Sequence, residues 1–117
     1  MYKHLTGLIP QMAEEVSDEV KQLFINKVQQ FVDNHPEFDL IHYQDIMKRN
    51  GIDWATESMK NADISMLDGK SVMALLVGVY RADYFTGGYN DILDEFFESG
   101  CIKRCLLRLM EIDKGQT

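Results

Sequence analysis

The stretch that decides the fold runs from Asp68 to Leu109 and reads DGKSVMALLVGVYRADYFTGGYNDILDEFFESGCIKRCLLRL. Its first part carries apolar residues at helical intervals over a wide face, which predicts the core helix of the protein. Asp68 is placed to cap this helix, because its carboxylate can accept hydrogen bonds from the free N–H groups of the first turn. Leu67 and Val72 have the spacing of a hydrophobic staple around the same cap.

The core helix is predicted to end near Asp83, before the glycine pair at 87–88 lets the backbone turn. A second helix is predicted to begin near Asn90 or Asp91. Gly100 fits the position that ends this helix and reverses the chain, and a last helix follows. Over the whole chain, the residues predicted to be buried are Leu23, Phe24, Val28, Leu75, Leu76, Val79, Phe96, Ile102, Leu106 and Leu109.

The first half of the chain is also helical in pattern. Ser17 precedes two carboxylates, which predicts the start of a long amphipathic helix. This helix should stop before Pro36, because the proline ring disfavours the α conformation in the residue before it. Asp39 is predicted to cap a short third helix, and another short helix should start at Asp53. The sequence therefore predicts a single all-α domain over residues 1–117, a compact bundle of five or six helices in which the long early helix packs against the last three.

Composition and charge narrow the classes of partner. Apolar residues make up 45% and charged residues 26% of the chain, as in ordinary soluble globular proteins. The net charge of −7 disfavours nucleic-acid and anionic membrane partners. No apolar run approaches the length of a membrane span, and the first residues do not read as a signal peptide. We therefore expect an acidic cytoplasmic protein with no nucleic-acid or membrane partner.

Two groups of residues were considered for metal chemistry. Cys101 and Cys105 lie four residues apart, but no histidine has a spacing that would complete a metal site, so buried thiols are favoured. A second group is an acidic series that lacks the pattern of a calcium loop. Complementary charge between two successive helices is the favoured interpretation, since basic residues follow at once. The acidic residues are Asp83, Asp91, Asp94, Glu95 and Glu98, and the basic residues that follow them are Lys103, Arg104 and Arg108.

Arg81 is the most informative single residue. It lies near the end of the core helix beside aromatic side chains, and its guanidinium can form a forked hydrogen bond to a carboxylate such as that of Glu98. The favoured interpretation is a structural clasp between helices. The alternative is an anion-binding pocket with aromatic walls. The candidate residues for binding or for the clasp are Arg81, Tyr84, Phe85, Gly88, Glu98 and Trp54.

The C-terminal half carries a pattern of an arginine, an aromatic segment, a glycine and a Glu-x-Gly corner. Its residues are Leu75, Leu76, Tyr80, Arg81, Ala82, Asp83, Tyr84, Phe85, Gly88, Phe97, Glu98, Ser99, Gly100, Arg104, Arg108 and Leu109. The pattern resembles a family of small bacterial helical domains of unknown function, in which these features join two C-terminal helices. The resemblance implies a compact helical domain, often encoded by itself, with no established activity and no catalytic residue.

Three classes of function remain open. A non-catalytic interaction module, binding itself or another protein, is favoured, and a homodimer is expected because Tyr2, Tyr43, Trp54 and Tyr89 fall outside the predicted core stripes. A domain that binds a small anionic ligand at the Arg81 corner is the alternative. An enzyme is the least favoured class, since no residue set has catalytic spacing; we predict no catalytic residue, metal or cofactor. An exposed apolar patch would favour the first class, and a deep polar pocket the others.

Overall fold

A computed structural model describes residues 1–12, 15–85, 87 and 91–115 of the chain. Three-quarters of these residues are helical and none of them lies in a strand, so the all-α prediction is confirmed. None of the described helices is long and apolar enough to cross a membrane. The α-helices are α1 (Lys3–Thr6), α2 (Asp18–Asn34), α3 (Tyr43–Arg49), α4 (Thr56–Lys60), α5 (Gly69–Phe85), α6 (Asp91–Glu98) and α7 (Cys101–Gly115), with short 3₁₀ turns at Ile9–Gln11, Pro36–Phe38 and Leu40–His42.

Helix α5 forms the centre of the molecule, as predicted. It contacts α2, α3, α4, α6 and α7, and its residues from 71 to 80 are all buried. A helix that is apolar on nearly all sides must be surrounded by other parts of the protein, because otherwise apolar side chains would be exposed to water. The Ser71 N–H donates to the Asp68 carboxylate at 2.8 Å, and Leu67 and Val72 are both buried. The predicted cap is therefore confirmed, and the two staple residues lie inside the protein.

Most helix ends lie where the sequence predicts them. The Ser17 hydroxyl accepts a hydrogen bond from the Val20 N–H at 3.2 Å, and α2 ends at Asn34, before Pro36. Gly100 has a φ of +80° and lies directly between α6 and α7, in a conformation that side chains disfavour.

Three helix ends differ from the prediction. Helix α5 ends at Phe85, two residues beyond Asp83, and α4 begins at Thr56 and not at Asp53. Asp39 does not cap a helix: it adopts the left-handed conformation at φ 55°, which aspartate tolerates better than most residues. Its carboxylate lies 2.8 Å from Nδ1 of His42, and α3 starts only at Tyr43.

Helix α2 packs against α5 and α6, as predicted. It contacts α5 and reaches α6 through an edge-to-face contact between Phe24 and Phe97, with ring centroids 5.4 Å apart. Helix α7 packs against α1 and the 3₁₀ turn at Ile9–Gln11 as well as against α5 and α6. The N-terminal segment therefore also covers α7, a contact that the prediction did not include.

The predicted core is confirmed except at Leu23, which is 38% exposed. The inner stripe of α2 passes through Phe24, Val28 and Phe31, which places Leu23 at its edge. Tyr2, predicted to lie outside the core, is instead buried. It stacks on Phe31 with ring centroids 5.4 Å apart.

Tyr43 was also predicted to lie outside the core, and this prediction is wrong too. Tyr43 is only 8% exposed, because the indole of Trp54 packs edge-on over its ring at a centroid distance of 5.8 Å. Trp54 is 36% exposed. Tyr89, the last residue of that prediction, lies outside the described residues.

Candidate interaction surface

A row of aromatic rings connects α3 to the end of α5 and opens to solvent. It runs from Tyr43 to Trp54, from Trp54 to Phe85 and from Phe85 to Tyr84, with successive centroids 5.8, 6.0 and 5.6 Å apart. The interplanar angles of 75–85° are those of edge-to-face pairs, a preferred geometry of aromatic contacts. Tyr84 and Phe85 are 66% and 63% exposed. These rings pack against one another while leaving much of their area in water.

Trp54 is fixed in this row by a hydrogen bond. Its indole N–H donates to the carbonyl oxygen of Gly78, in the middle of α5, at 3.0 Å. The bond satisfies the polar atom of the ring and anchors the segment before α4 to the central helix. The indole can therefore present a defined apolar face without first having to be ordered by a ligand.

A groove of about 350 Å³ runs beside this row. Its floor is a stripe of α5, formed by Val77, Tyr80, Arg81 and Phe85. The other lining residues are Val32 of α2 and Leu40, Ile41 and Tyr43 from the segment that leads into α3. Ile41 is 78% exposed. We call the exposed surface formed by Ile41, Trp54, Arg81, Tyr84 and Phe85 the aromatic patch.

Among the described residues that line the groove, Arg81 is the one with a formal charge. Its guanidinium carbon lies 5.3 Å from the centroid of the Tyr80 ring, within the range of a cation–π contact. Its side chain is exposed, and its guanidinium makes no hydrogen bond or ion pair with any other described residue. The contact with a carboxylate or helix-end carbonyl that the clasp interpretation requires is therefore not found within the described part of the chain.

Glu98 lies in a different place from Arg81. It lines a cleft of about 320 Å³ together with Lys21, Asp94 and Lys103. Within this cleft the Lys21 ammonium lies 2.6 Å from the Asp94 carboxylate, and that hydrogen bond raises the pKa of Lys21. Gly88, the remaining candidate of the Arg81 corner, lies outside the described residues. The structure thus brings together Arg81, Phe85 and their aromatic neighbours, and separates them from Glu98.

The acidic series pairs with other helices than those predicted. Asp94 pairs with Lys21 of α2, and the Glu95 carboxylate lies 3.6 Å from the Lys60 ammonium of α4. Asp83 is buried and accepts a hydrogen bond from the Leu93 N–H in the first turn of α6 at 3.2 Å. Within the described ranges, no three histidine, cysteine or acidic side chains are arranged to hold a metal ion.

Two arginines of α7 donate to backbone carbonyls, a contact of the kind predicted for Arg81. Arg104 donates to the carbonyls of Ser99 and Lys60 at 3.1 and 3.0 Å. Arg108 donates through Nε to the carbonyl of Leu67 at 2.9 Å. These bonds attach α7 to both ends of the loop between α4 and α5. The sequence signal was their separation of one helical turn, which placed both on one face of α7 but did not identify the carbonyls.

The two cysteines are fully buried, in agreement with the prediction of buried thiols. The Cys101 thiol lies 3.7 Å from the Met59 carbonyl. A hydrogen bond between the two sulfurs lowers the pKa of Cys101, and the same bond together with burial raises that of Cys105. The pair thus belongs to the packing between α4 and α7.

Comparison of the chain with models of protein families, with curated proteins and with solved structures finds no match.

Proposed function

We propose that this chain is a protein-interaction module that binds its partner through the aromatic patch. The observation that carries the proposal is a cluster of large exposed side chains: Ile41 and Phe85 line one groove, and Trp54 and Tyr84 pack against Phe85. Contiguous apolar surface of this kind typically marks a site of interaction.

The residue types support the same function. Tryptophan, tyrosine and arginine are the side chains most enriched among the residues that dominate binding energy in protein interfaces. Trp54 is already fixed by its bond to Gly78, and Arg81 is held over Tyr80. Binding a partner would therefore cost little side-chain entropy at either position. The groove beside the patch is open and has a single charged side chain in its lining, which suits a protein surface better than a small polar metabolite.

Site-specific photo-crosslinking tests this function. A benzophenone amino acid at Phe85 is compared with one at Met66, which is 84% exposed and lies outside the patch. We expect a discrete adduct from position 85, in the cells that naturally make the chain or with the purified chain alone, and no such adduct from position 66. The adduct should disappear when Ile41→Asp is added, while the melting temperature stays unchanged.

The purified chain distinguishes the two kinds of protein partner. A dimer adduct formed by the chain alone would identify the partner as a second copy, whereas a heavier adduct only in cells would identify another protein. Equal adducts from both positions, or none from position 85, would contradict the proposed function.

A further inference from the structure

We propose that the groove of the aromatic patch receives an amphipathic helix of another protein, and that a carboxylate on this helix pairs with Arg81. The inference rests on the proposed function and specifies the chemistry of the partner. It follows from three properties of the groove, namely its length, its charge and the composition of its walls.

The length of the groove floor fits a helix. The stripe from Val77 to Phe85 spans about 12 Å, since an α-helix rises about 1.5 Å per residue. A helix laid along this floor covers a similar length with apolar anchors two turns apart. Val32, Leu40 and Ile41 supply further apolar lining beside the stripe. Two anchors of an incoming helix would thus find apolar contacts at both ends of the stripe.

The charge of the groove calls for a carboxylate between those anchors. Arg81 lies in the middle of the stripe, and the other lining residues are uncharged. Its guanidinium carbon lies 5.3 Å from the Tyr80 centroid, and no described residue accepts a hydrogen bond from it, which leaves its N–H donors for a carboxylate. A charge-assisted, forked hydrogen bond of this kind is among the stronger polar contacts between proteins. An acidic residue of the partner would therefore lie opposite Arg81.

A second copy of this chain is a poorer occupant. In a symmetric dimer the patch of one copy would face the same patch of the other copy. Two grooves would then meet, and each would contribute Arg81 as its charged side chain. Neither groove lining contains a carboxylate, so neither Arg81 would gain a partner from the other lining. Another protein with an acidic amphipathic helix supplies what the groove lacks.

Selection from a displayed peptide library tests the inference. The probe is a library of about 16 residues in an alanine-rich helical host, long enough to form a helix in water, with one face randomised. Selection is run in parallel against the natural chain, Arg81→Glu, Arg81→Gln and Phe85→Ser, after the four proteins are shown to melt alike. We expect the natural chain to enrich peptides with two apolar anchors and an Asp or Glu between them.

Arg81→Glu should instead enrich Lys or Arg at the same peptide position. Replacing the selected acid by its amide should weaken binding to the natural chain about tenfold, the scale of one charge-assisted bond. The same replacement should have no effect on binding to Arg81→Gln. Enrichment of helices without an acid, or with the same acid for Arg81→Glu, would overturn the inference.

The remaining outcomes separate this inference from the proposed function. If no helix is enriched above the Phe85→Ser background but the position-85 adduct persists, the helical partner is wrong and the interaction surface stands. A dimer adduct with no selected peptide would assign the groove to a second copy and overturn the inference. If both the peptides and the adduct are lacking, both proposals fail.

Discussion

At the scale of single residues, the arginines of this chain divide by what their guanidinium groups contact. Arg104 and Arg108 donate to backbone carbonyls of Ser99, Lys60 and Leu67. Arg81 lies over a ring instead. A carbonyl at a helix end or in a loop lacks a backbone partner and gains from a side-chain donor. Arg104 and Arg108 therefore make contacts of the kind predicted for Arg81, whose own clasp stays a prediction because residues 86 and 88–90 lie outside the described part of the chain.

We expect Arg104→Lys to lower the free energy of unfolding by about 0.5–1.5 kcal/mol, because one ammonium cannot bridge two carbonyls as the planar guanidinium does. Chemical denaturation at neutral pH measures the change. Arg81→Lys is the matched control and should change stability by less than about 0.5 kcal/mol, as is usual for exposed positions. A larger loss for Arg81→Lys than for Arg104→Lys would restore the clasp interpretation of Arg81.

Gly69 shows how one missing side chain places an aromatic residue. A Cβ at this position would overlap the Tyr2 hydroxyl and lie 2.7 Å from the ring carbon that bears it. We expect Gly69→Ala to destabilise the protein by about 1–3 kcal/mol, the range for overpacked sites, although alanine itself favours a helix. Tyr2→Phe should recover part of this loss in a double-mutant cycle. A stabilising Gly69→Ala would mean that Tyr2 does not pack there.

At the scale of secondary-structure elements, the helix caps are of two kinds. Ser17 and Asp68 cap the helices that they immediately precede. Asp83 instead lies in the last turn of α5 and accepts from Leu93 in α6. Helix α6 has eight residues, and a helix this short is not stable by itself. A cap from the preceding helix both stabilises α6 and sets its position relative to α5.

We expect Asp83→Ala to destabilise the fold by about 1–3 kcal/mol, because a buried N–H of α6 loses its acceptor. Asp83→Asn, which keeps an acceptor oxygen, should lose less. Hydrogen exchange of the Leu93 amide reports the local effect, with faster exchange expected in the alanine variant. Unchanged exchange at Leu93 would indicate that the cap contributes nothing to α6.

The cap of α5 should make stability depend on pH. Hydrogen bonds from the side chain and the backbone N–H of Ser71 lower the pKa of Asp68 below its ordinary value of 3.8. A lowered folded-state pKa means that the carboxylate stabilises the protein in full above the unfolded-state value, and loses this effect as pH falls through the folded-state value.

Asp68→Ala should therefore cost about 0.5–2 kcal/mol at neutral pH. Denaturation curves of the variant and the natural chain should converge as the pH falls below 3.8, the ordinary pKa of the group. Asp68→Asn cannot ionise but keeps an acceptor, so its difference from Asp68→Ala should not change over this range. A constant difference between the natural chain and Asp68→Ala would contradict the assigned cap.

At the scale of the whole molecule, one buried helix holds together a set of shorter ones. The radius of gyration is 13.0 Å, and a compact chain of this length has about 13 Å. Because α5 contacts five other helices, a cavity in its surface affects many neighbours at once. The end of the same helix supplies Tyr84 and Phe85 to the aromatic patch, so the core and the proposed interface belong to one element.

The two ends of this element should respond differently to substitution. Replacing the fully buried Leu76 by alanine should lower the free energy of unfolding by about 2–5 kcal/mol. Phe85 is 63% exposed. Its replacement by alanine should lower the free energy of unfolding by less than about 1 kcal/mol, because little of its area leaves water on folding. Thermal and chemical denaturation measure both. A loss for Phe85→Ala equal to that for Leu76→Ala would mean that Phe85 is a core residue and not part of an interface.

The sequence by itself determined the features that depend on neighbouring residues. The periodicity of α5, the caps at Ser17 and Asp68 and the turn at Gly100 each involve side chains and backbone groups within a few positions, so local rules suffice. Asp39 shows the limit of these rules. It has the chemistry of a cap, but its carboxylate contacts His42 instead.

Only the tertiary structure decided which faces and which distant groups meet. Arg104 and Arg108 reach carbonyls that are 44 and 41 residues away, and Tyr2 is buried because Gly69 leaves room for its ring. Leu23 lies at the exposed edge of the inner stripe of α2 although its neighbour Phe24 is buried. Ile41 joins Phe85 at one groove. Such contacts depend on how whole helices pack against one another, because the partner groups come from parts of the chain that local sequence does not constrain.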